Sequence, residues 1–343
     1  MIFPIAGQTC AVRHDRGTDA GSGLAGGGTP DGTRASARSG AGGAVAVLLG
    51  ASASGTAGTA AHYAPAGASS VSLGAVRIVL GGAVLFGFVV GHPGSRRDLL
   101  ALLRSGADAR VSMLLAMIGV SGYQLCFFSA VRLTGVAVGT VVAIGSGPVL
   151  AGLISRLTGG GPLTVRWTVA TAGAVAGCTL LVASGRAAGV SLPGVGLALV
   201  AGLCYAVYAV ATGRMISGGN RDRAVMGGLL GGAAVLLLPV LVASSPGWLA
   251  SGRGLTVALY LGLVATALGY LLVGRGFRVL PAPVVVTLGL AEPLVAALLG
   301  VLVLGERLTA TAAVGLVLVG LALAVLAAPA RSAGAGPVAP PPG

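Results

Sequence analysis

The chain contains no lysine. Its 21 basic residues are all arginine, set against eight acids, for a formal net charge of +13 over 343 residues. Charged residues of all kinds make up only 8%, against roughly 25% in an ordinary soluble domain, so a hydrated surface cannot cover a globule of this length. Without lysine there is no phosphate-cradling loop of the Gly-Lys-Ser/Thr kind, and ATP has no evident site. Aromatics are 4% and the arginines are scattered between apolar runs. A nucleic-acid partner is therefore excluded, because phosphate binding needs basic residues gathered on one face with stacking aromatics. Cys10, Cys126, Cys178 and Cys204 show no paired spacing, which gives neither a zinc site nor a disulfide framework. His14, His62 and His92 are isolated from one another and from the acids. Enzyme chemistry needs converging acids, histidines or Ser/His pairs, so the sequence points away from an enzyme and calls for no metal or other cofactor.

What the chain has is apolar length. Hydrophobic residues are 55% and glycines number 61. Apolar stretches fall at 43–63, 71–91, 111–131, 136–157, 164–184, 194–216, 224–244, 255–274, 282–304 and 309–328. Each is near the 20 or so residues with which a helix crosses about 30 Å of hydrocarbon, and no ten-residue alternation suggests a barrel. The expected fold is an all-α integral membrane protein of ten transmembrane helices. The connections carry loop chemistry, as in the run from His92 to Asp98, Gly159-Gly160-Gly161-Pro162, and Gly218-Gly219-Asn220. Residues 1–42 are rich in Gly, Ser, Thr and Ala and read as a disordered tail, without the apolar stretch of a secretory signal; 329–343 is a Pro/Gly/Ala-rich tail. With the amino terminus inside, eleven arginines fall on inner loops and four on outer ones. That asymmetry predicts both termini on the cytoplasmic side of a plasma membrane, the bacterial inner membrane.

The second half echoes the first. Gly145-Ser146-Gly147-Pro148 parallels Leu290-Ala291-Glu292-Pro293, with the prolines 145 positions apart, and Leu163-Thr164 and Leu308-Thr309 share that offset. Gly122-Tyr123 pairs with Gly269-Tyr270. The units are 43–186 and 187–328, each of five helices. Five is odd, so the copies lie inverted in the bilayer. Inverted repeats belong to carriers that alternate access around a central site, and Gly/Pro-interrupted helices in matching positions mark that site. Here these are helices four and nine, with Gly147, Pro148, Gly289 and Pro293 as the helix-break and gating candidates.

The run from Glu292-Pro293 through Gly300 to Gly305-Glu306-Arg307-Leu308-Thr309, followed by Gly315 and Gly320, resembles the closing signature of the EamA domain of the drug/metabolite transporter superfamily. Ser69 to Arg77 resembles its second-helix pattern, and Leu203-Cys204-Tyr205-Ala206-Val207-Tyr208 the opening of its sixth. The resemblance covers about 43–328. It implies two five-helix EamA units that move small metabolites such as amino acids, without ATP.

Glu292 leads the candidate residues as the acid placed deepest in the membrane. A charge at that depth costs about 2.5–3.5 kcal/mol on insertion scales and usually faces a cavity; a carboxyl there is a proton-binding candidate. Pro293 removes a backbone bond and is expected to free the carbonyl near Gly289 toward that cavity. Arg77 lies six residues into its helix and about 9 Å from the outer end, with Glu292 about 18 Å deep by the same rise. The two are candidates to pair, or Arg77 to hold a substrate carboxylate; an arginine snorkelling toward the outer headgroups is the other reading. Ser52, Thr56, Thr59 and Tyr63 share one face of the first helix; Tyr205, Tyr208 and Thr212 share a face of the sixth; Ser121, Gln124 and Phe128, then Thr266 and Tyr270, line up on the third and eighth. Of these, Tyr63, Gln124, Tyr205, Tyr208 and Tyr270 join Glu292 and Arg77 as substrate- or proton-binding candidates, while hydroxyls are also ordinary packing glue in lipid. Glu306 with Arg307 reads as a turn and Thr309 as a helix cap. The expected activity is secondary transport of a small-molecule metabolite, with protons as a possible coupled partner; a channel-like or non-transporting membrane subunit, and more remotely a lipid enzyme, are the alternatives.

Overall fold

A computed structural model describes residues 30–183, 191–305 and 309–328. Among the described residues nine helices are long and apolar enough to cross a membrane. They are Gly40–His62, Ser70–Gly91, Ala107–Gly135, Val138–Leu157, Leu192–Ser217, Asp222–Ala243, Gly252–Phe277, Ala282–Leu302 and Ala310–Ala327. Val165–Ala183, of 19 residues, stands fifth in chain order and completes ten spans. Helices arise here because a backbone in hydrocarbon must satisfy its own N–H and C=O groups. Hydroxyls start several of them: Ser69, Ser191, Ser251 and Thr309 each accept a backbone N–H three residues on, as Thr164 does from Trp167. Large apolar side chains such as Leu157, Val165, Leu192 and Leu302 point outward. They face lipid: the protein is an all-α integral membrane protein embedded in a bilayer.

The helical boundaries depart from the sequence reading in three places. Residues 30–42, read as part of a disordered tail, are helical, since the first helix runs Pro30–Gly55 before a turn at Thr56. The run from His92 to Asp98, read as a loop, opens an amphipathic helix, Pro93–Arg104, with proline in its first turn and Leu99 and Leu102 buried. The third and fourth spans join with almost no connection: Gly135 reverses direction with φ 82° and ψ 161°, a conformation open to glycine. Arg186, Glu306, Arg307 and residues 329–343 lie outside the described residues.

Packing follows the repeat. The second span packs on the seventh and the fifth on the tenth, each against its own counterpart. The third and fourth pack on the sixth, as the eighth and ninth pack on the first. Five crossings per unit place the second unit upside down relative to the first. At the crossing of the fifth and tenth spans the backbones touch: a Cβ on Gly177 would lie 2.8 Å from the Gly315 oxygen, and one on Gly315 2.5 Å from the Gly177 oxygen. Only glycine fits there, and small residues let helices approach where lipid offers no competing hydrophobic drive. Gly228 and Gly232 on the seventh span receive Leu99, Met113 and Met117.

Arginines tie the ends. Arg253 Nε donates to the Tyr63 carbonyl at 2.6 Å. Arg166 Nε donates to the Val325 carbonyl at 2.9 Å, and its Nη2 to those of Leu326 and Ala328. Arg214 Nη2 donates to the Thr158 carbonyl. Each guanidinium takes up carbonyls that a helix leaves without partners at its last turn.

Candidate functional site

Between the units lies a cavity of about 710 Å³. Its walls come from the first span between Val47 and Gly58, the early part of the second and fourth, the middle of the third and sixth, the end of the fifth at Leu181, the later part of the eighth, and the ninth. The portions of the second, fourth and fifth spans lie toward the side carrying the 63–69 connection and Gly135, while Val47 and the eighth-span residues Gly269, Tyr270 and Val273 lie toward the other, so the cavity extends across the middle of the bundle.

Arg77, Gln124, Tyr205, Tyr208, Tyr270, Gly289, Glu292 and Pro293 all line it. Aromatic rings form a continuous chain along the wall. Phe127 stacks on Tyr123 at 5.5 Å, Tyr123 meets Tyr205 at 5.6 Å, Tyr205 meets Tyr208 at 5.9 Å, and Tyr208 meets Tyr270 at 5.8 Å between ring centroids. Such offset pairs fix one another's orientation and give a rigid apolar surface with hydroxyls at its edge. Gln124 is buried and donates from Nε2 to the Gly74 carbonyl at 3.0 Å, which pins the second span to the third.

The two intramembrane charges enter the same cavity from different units, and no ion pair within 4 Å joins them. Arg77 Nε instead donates to Thr266 Oγ1 at 3.3 Å. Thr266 is buried within a π-helical stretch, Tyr260–Leu268, whose extra residue per turn displaces its side chain from the regular α-helical position. The Glu292 carboxylate has no hydrogen bond from another described residue. An anion and a cation on separate walls, each with donors or acceptors free toward the cavity, can bind opposite charges of one small solute.

The ninth span is interrupted as expected, but not by a freed carbonyl. Its two helices, Ala282–Leu288 and Ala291–Leu302, meet at Gly289-Leu290. There the Gly289 carbonyl accepts the Glu292 N–H at 3.0 Å and the Thr287 carbonyl the Leu290 N–H at 3.1 Å. Tightened three-residue turns absorb the bond that Pro293 removes. The fourth span gives the larger correction. Its helix continues through Pro148, and Gly147 and Pro148 are buried within it, outside the cavity wall. Gly147 serves packing: a Cβ there would lie 3.0 Å from Tyr205 Cδ1. Tyr63 is also misplaced by the sequence reading. It stands at the end of the first span, 45% exposed, away from the cavity. Of the hydroxyl stripe of that span, Thr56 is taken up in packing: its Oγ1 accepts from Tyr260 Oη at 2.9 Å and donates to the Ala53 carbonyl at 2.7 Å. Sequence reasoning passed over Tyr123, although its repeat counterpart Tyr270 was a candidate; carrying that correspondence through would have found it.

Comparison with known proteins agrees with this architecture. The EamA-like transporter family matches residues 41–183 and 192–328, one match per unit. The uncharacterized transporter YwfM of Bacillus subtilis (strain 168) is 36% identical over 253 residues, covering 72% of this chain and 81% of that protein. A solved crystal structure shares the fold with a TM-score of 0.67 at 22% identity, over 82% of this chain and 95% of the other. Two five-span units, a cavity between them and these matches lead to one assignment: the chain belongs to the EamA-like transporter family, as a membrane transporter of the drug/metabolite type.

Proposed function

We propose that the protein is a secondary carrier of small zwitterionic metabolites such as amino acids, working by alternating access and without ATP. The observation that carries this reading is the placement of Arg77 and Glu292 on one cavity, unpaired with each other and bordered by a tyrosine chain. Arg77 receives the solute carboxylate, held in place by Thr266; Glu292 receives its ammonium group, and the aromatic wall holds the remainder. When the site is empty, Glu292 takes up a proton instead. A carboxyl that meets one side of the membrane and then the other can couple solute movement to a proton gradient. We read the arginine asymmetry as orienting both termini to the cytoplasm, which puts the 63–69 connection and Gly135 on the outer face.

Counterflow in proteoliposomes tests this reading. Preloading with unlabelled solute is expected to accelerate uptake of at least one labelled amino acid. Glu292→Gln retains exchange at a raised half-saturation, since the solute ammonium loses its charged partner, and loses its response to an imposed pH gradient. Absence of trans-stimulation across a broad amino-acid panel sinks the carrier reading. A variant with the wild-type pH response sinks the proton role.

A further inference from the structure

A second cavity, of about 180 Å³, lies between the second, third and seventh spans. Ala75, Leu237 and Val240 give it apolar walls, and Arg132 stands at its rim. Gln124 and Phe128 line both this pocket and the central cavity. On the third span Gln124, Phe128 and Arg132 recur every four residues, so one helix face runs from the central cavity to the end of the span.

The partition between the two spaces is made of side chains. Gln124 holds it through its hydrogen bond to the Gly74 carbonyl. Phe128 occupies the place of a missing side chain, since a Cβ on Gly74 would fall 1.9 Å from Phe128 Cε2. In the proposal below, the pocket joins the cavity when Phe128 turns about its side-chain bonds and the Gln124 hydrogen bond is released. The far end is open: Leu125, Ser129 and Arg132 are exposed. Arg132 makes no ion pair or hydrogen bond with another described residue, and no acid lines the pocket. A cation thus stands at the mouth, apolar walls follow, and a second cation, Arg77, waits beyond the partition.

We propose that this pocket is a side door to the central cavity for amphipathic carboxylates, an apolar tail lying between the second, third and seventh spans while the carboxylate passes from Arg132 toward Arg77. Its passage rests on the carrier reading; its binding does not.

Trp248 makes binding measurable. It packs with Ala75, Leu241 and Val240, and its Nε1 donates to Ser72 Oγ at 2.8 Å. The chain has two tryptophans, so Trp167→Phe leaves Trp248 as sole donor for energy transfer to a dansylated undecanoate. In phosphatidylcholine nanodiscs, transfer to the full-length protein is expected to saturate. Arg132→Gln weakens it about tenfold or more, the loss of one hydrogen bond to a charged group, and Arg132→Lys recovers most of it. Ala75→Phe, which fills the pocket, abolishes transfer. Equal binding of the matching dansylated alcohol, indifference to Arg132→Gln, or displacement of the probe by phosphatidylglycerol would each overturn the assignment, the last by making a lipid the occupant. In proteoliposomes Ala75→Phe at least halves counterflow of the probe; unchanged counterflow means that the pocket is a dead end and removes the door. If the wild-type protein exchanges no solute at all, the carrier reading and the passage fall together, while binding still stands or falls on Arg132.

Discussion

Tyr205 is clamped between two glycines, and adding one carbon to either should be felt in solute affinity. A Cβ on Gly289 would sit 2.9 Å from Tyr205 Oη, about 0.6 Å inside a comfortable contact. The hydroxyl is the free end of a side chain, so the ring gives way. It cannot give way freely, because Tyr123 lies at 5.6 Å, Tyr208 at 5.9 Å, and Gly147 supports the far side with 3.0 Å of room for a Cβ. Each ring pair contributes about 0.5–1.5 kcal/mol beyond its buried area. Disturbing one of them costs about 1 kcal/mol, a roughly fivefold rise in the half-saturation of counterflow. Stability should change little, because the Val286 carbonyl oxygen, 3.0 Å from a Cβ on Gly289, is set against a local preference for alanine. Gly289 has φ −58° and ψ −20°, a helical conformation in which alanine is favoured over glycine by up to about 1 kcal/mol. The rise in half-saturation of Gly289→Ala, measured with whichever amino acid the wild-type protein exchanges, should therefore appear at a little-changed unfolding midpoint. Tyr205→Phe removes the clashing atom, so adding it to Gly289→Ala should restore most of the lost affinity relative to Tyr205→Phe alone. Equal half-saturation in Gly289→Ala, or a defect that persists in the double variant, refutes the clamp.

Gly315→Ala is expected to destabilise the fold by about 1–3 kcal/mol, because its Cβ would meet backbone at 2.5 Å and 2.6 Å; an unshifted unfolding curve in detergent contradicts the close crossing. Trp248→Phe leaves the buried Ser72 hydroxyl without its donor and should cost about 1–3 kcal/mol, most of it recovered on adding Ser72→Ala. Thr266→Val removes the acceptor of Arg77 Nε and should raise half-saturation with maximal exchange rate retained, whereas a collapsed rate with unchanged half-saturation contradicts its positioning role. Asp98→Asn breaks the 3.5 Å contact with Arg221, but both side chains meet solvent, and the unfolding midpoint should move by well under what 1 kcal/mol produces.

Span number, repeat and family were legible because they rest on the length of apolar runs, which a bilayer imposes on sequence, and on the recurrence of Gly and Pro at one offset. Pro148 and Pro293 show where such reasoning ends. The same residue at repeat-related positions sits inside a continuous helix in one unit and beside an interruption in the other. Proline removes a donor in both places. Whether the chain then breaks depends on the neighbouring three-residue turns at Gly289-Leu290, which only the fold reveals. Glu292 and Arg77 could be found because an unshielded charge in an apolar run is conspicuous. Tyr63 shared a helix face with polar residues, but periodicity does not show where a span leaves the membrane. The π-helical stretch that brings Thr266 to Arg77 has no sequence signal beyond one hydroxyl in an apolar run.

The three arginine ties at helix ends share a property that bears on motion. Arg253 reaches from the second unit to Tyr63 of the first, Arg214 from the second to Thr158 of the first, and Arg166 from the first to Val325, Leu326 and Ala328 of the second. None joins two parts of one unit. Two units bound this way cannot tilt past each other as free bodies: on the carrier reading, each change of access must first unfasten a guanidinium from the far unit's carbonyls. In the orientation proposed above, two of these ties lie on the cytoplasmic face, beside the Arg221–Asp98 contact, and one on the outer face. On the carrier reading, that uneven count works as a ballast, weighting the resting protein against opening on the cytoplasmic side and adding to the barrier that a bound solute has to overcome.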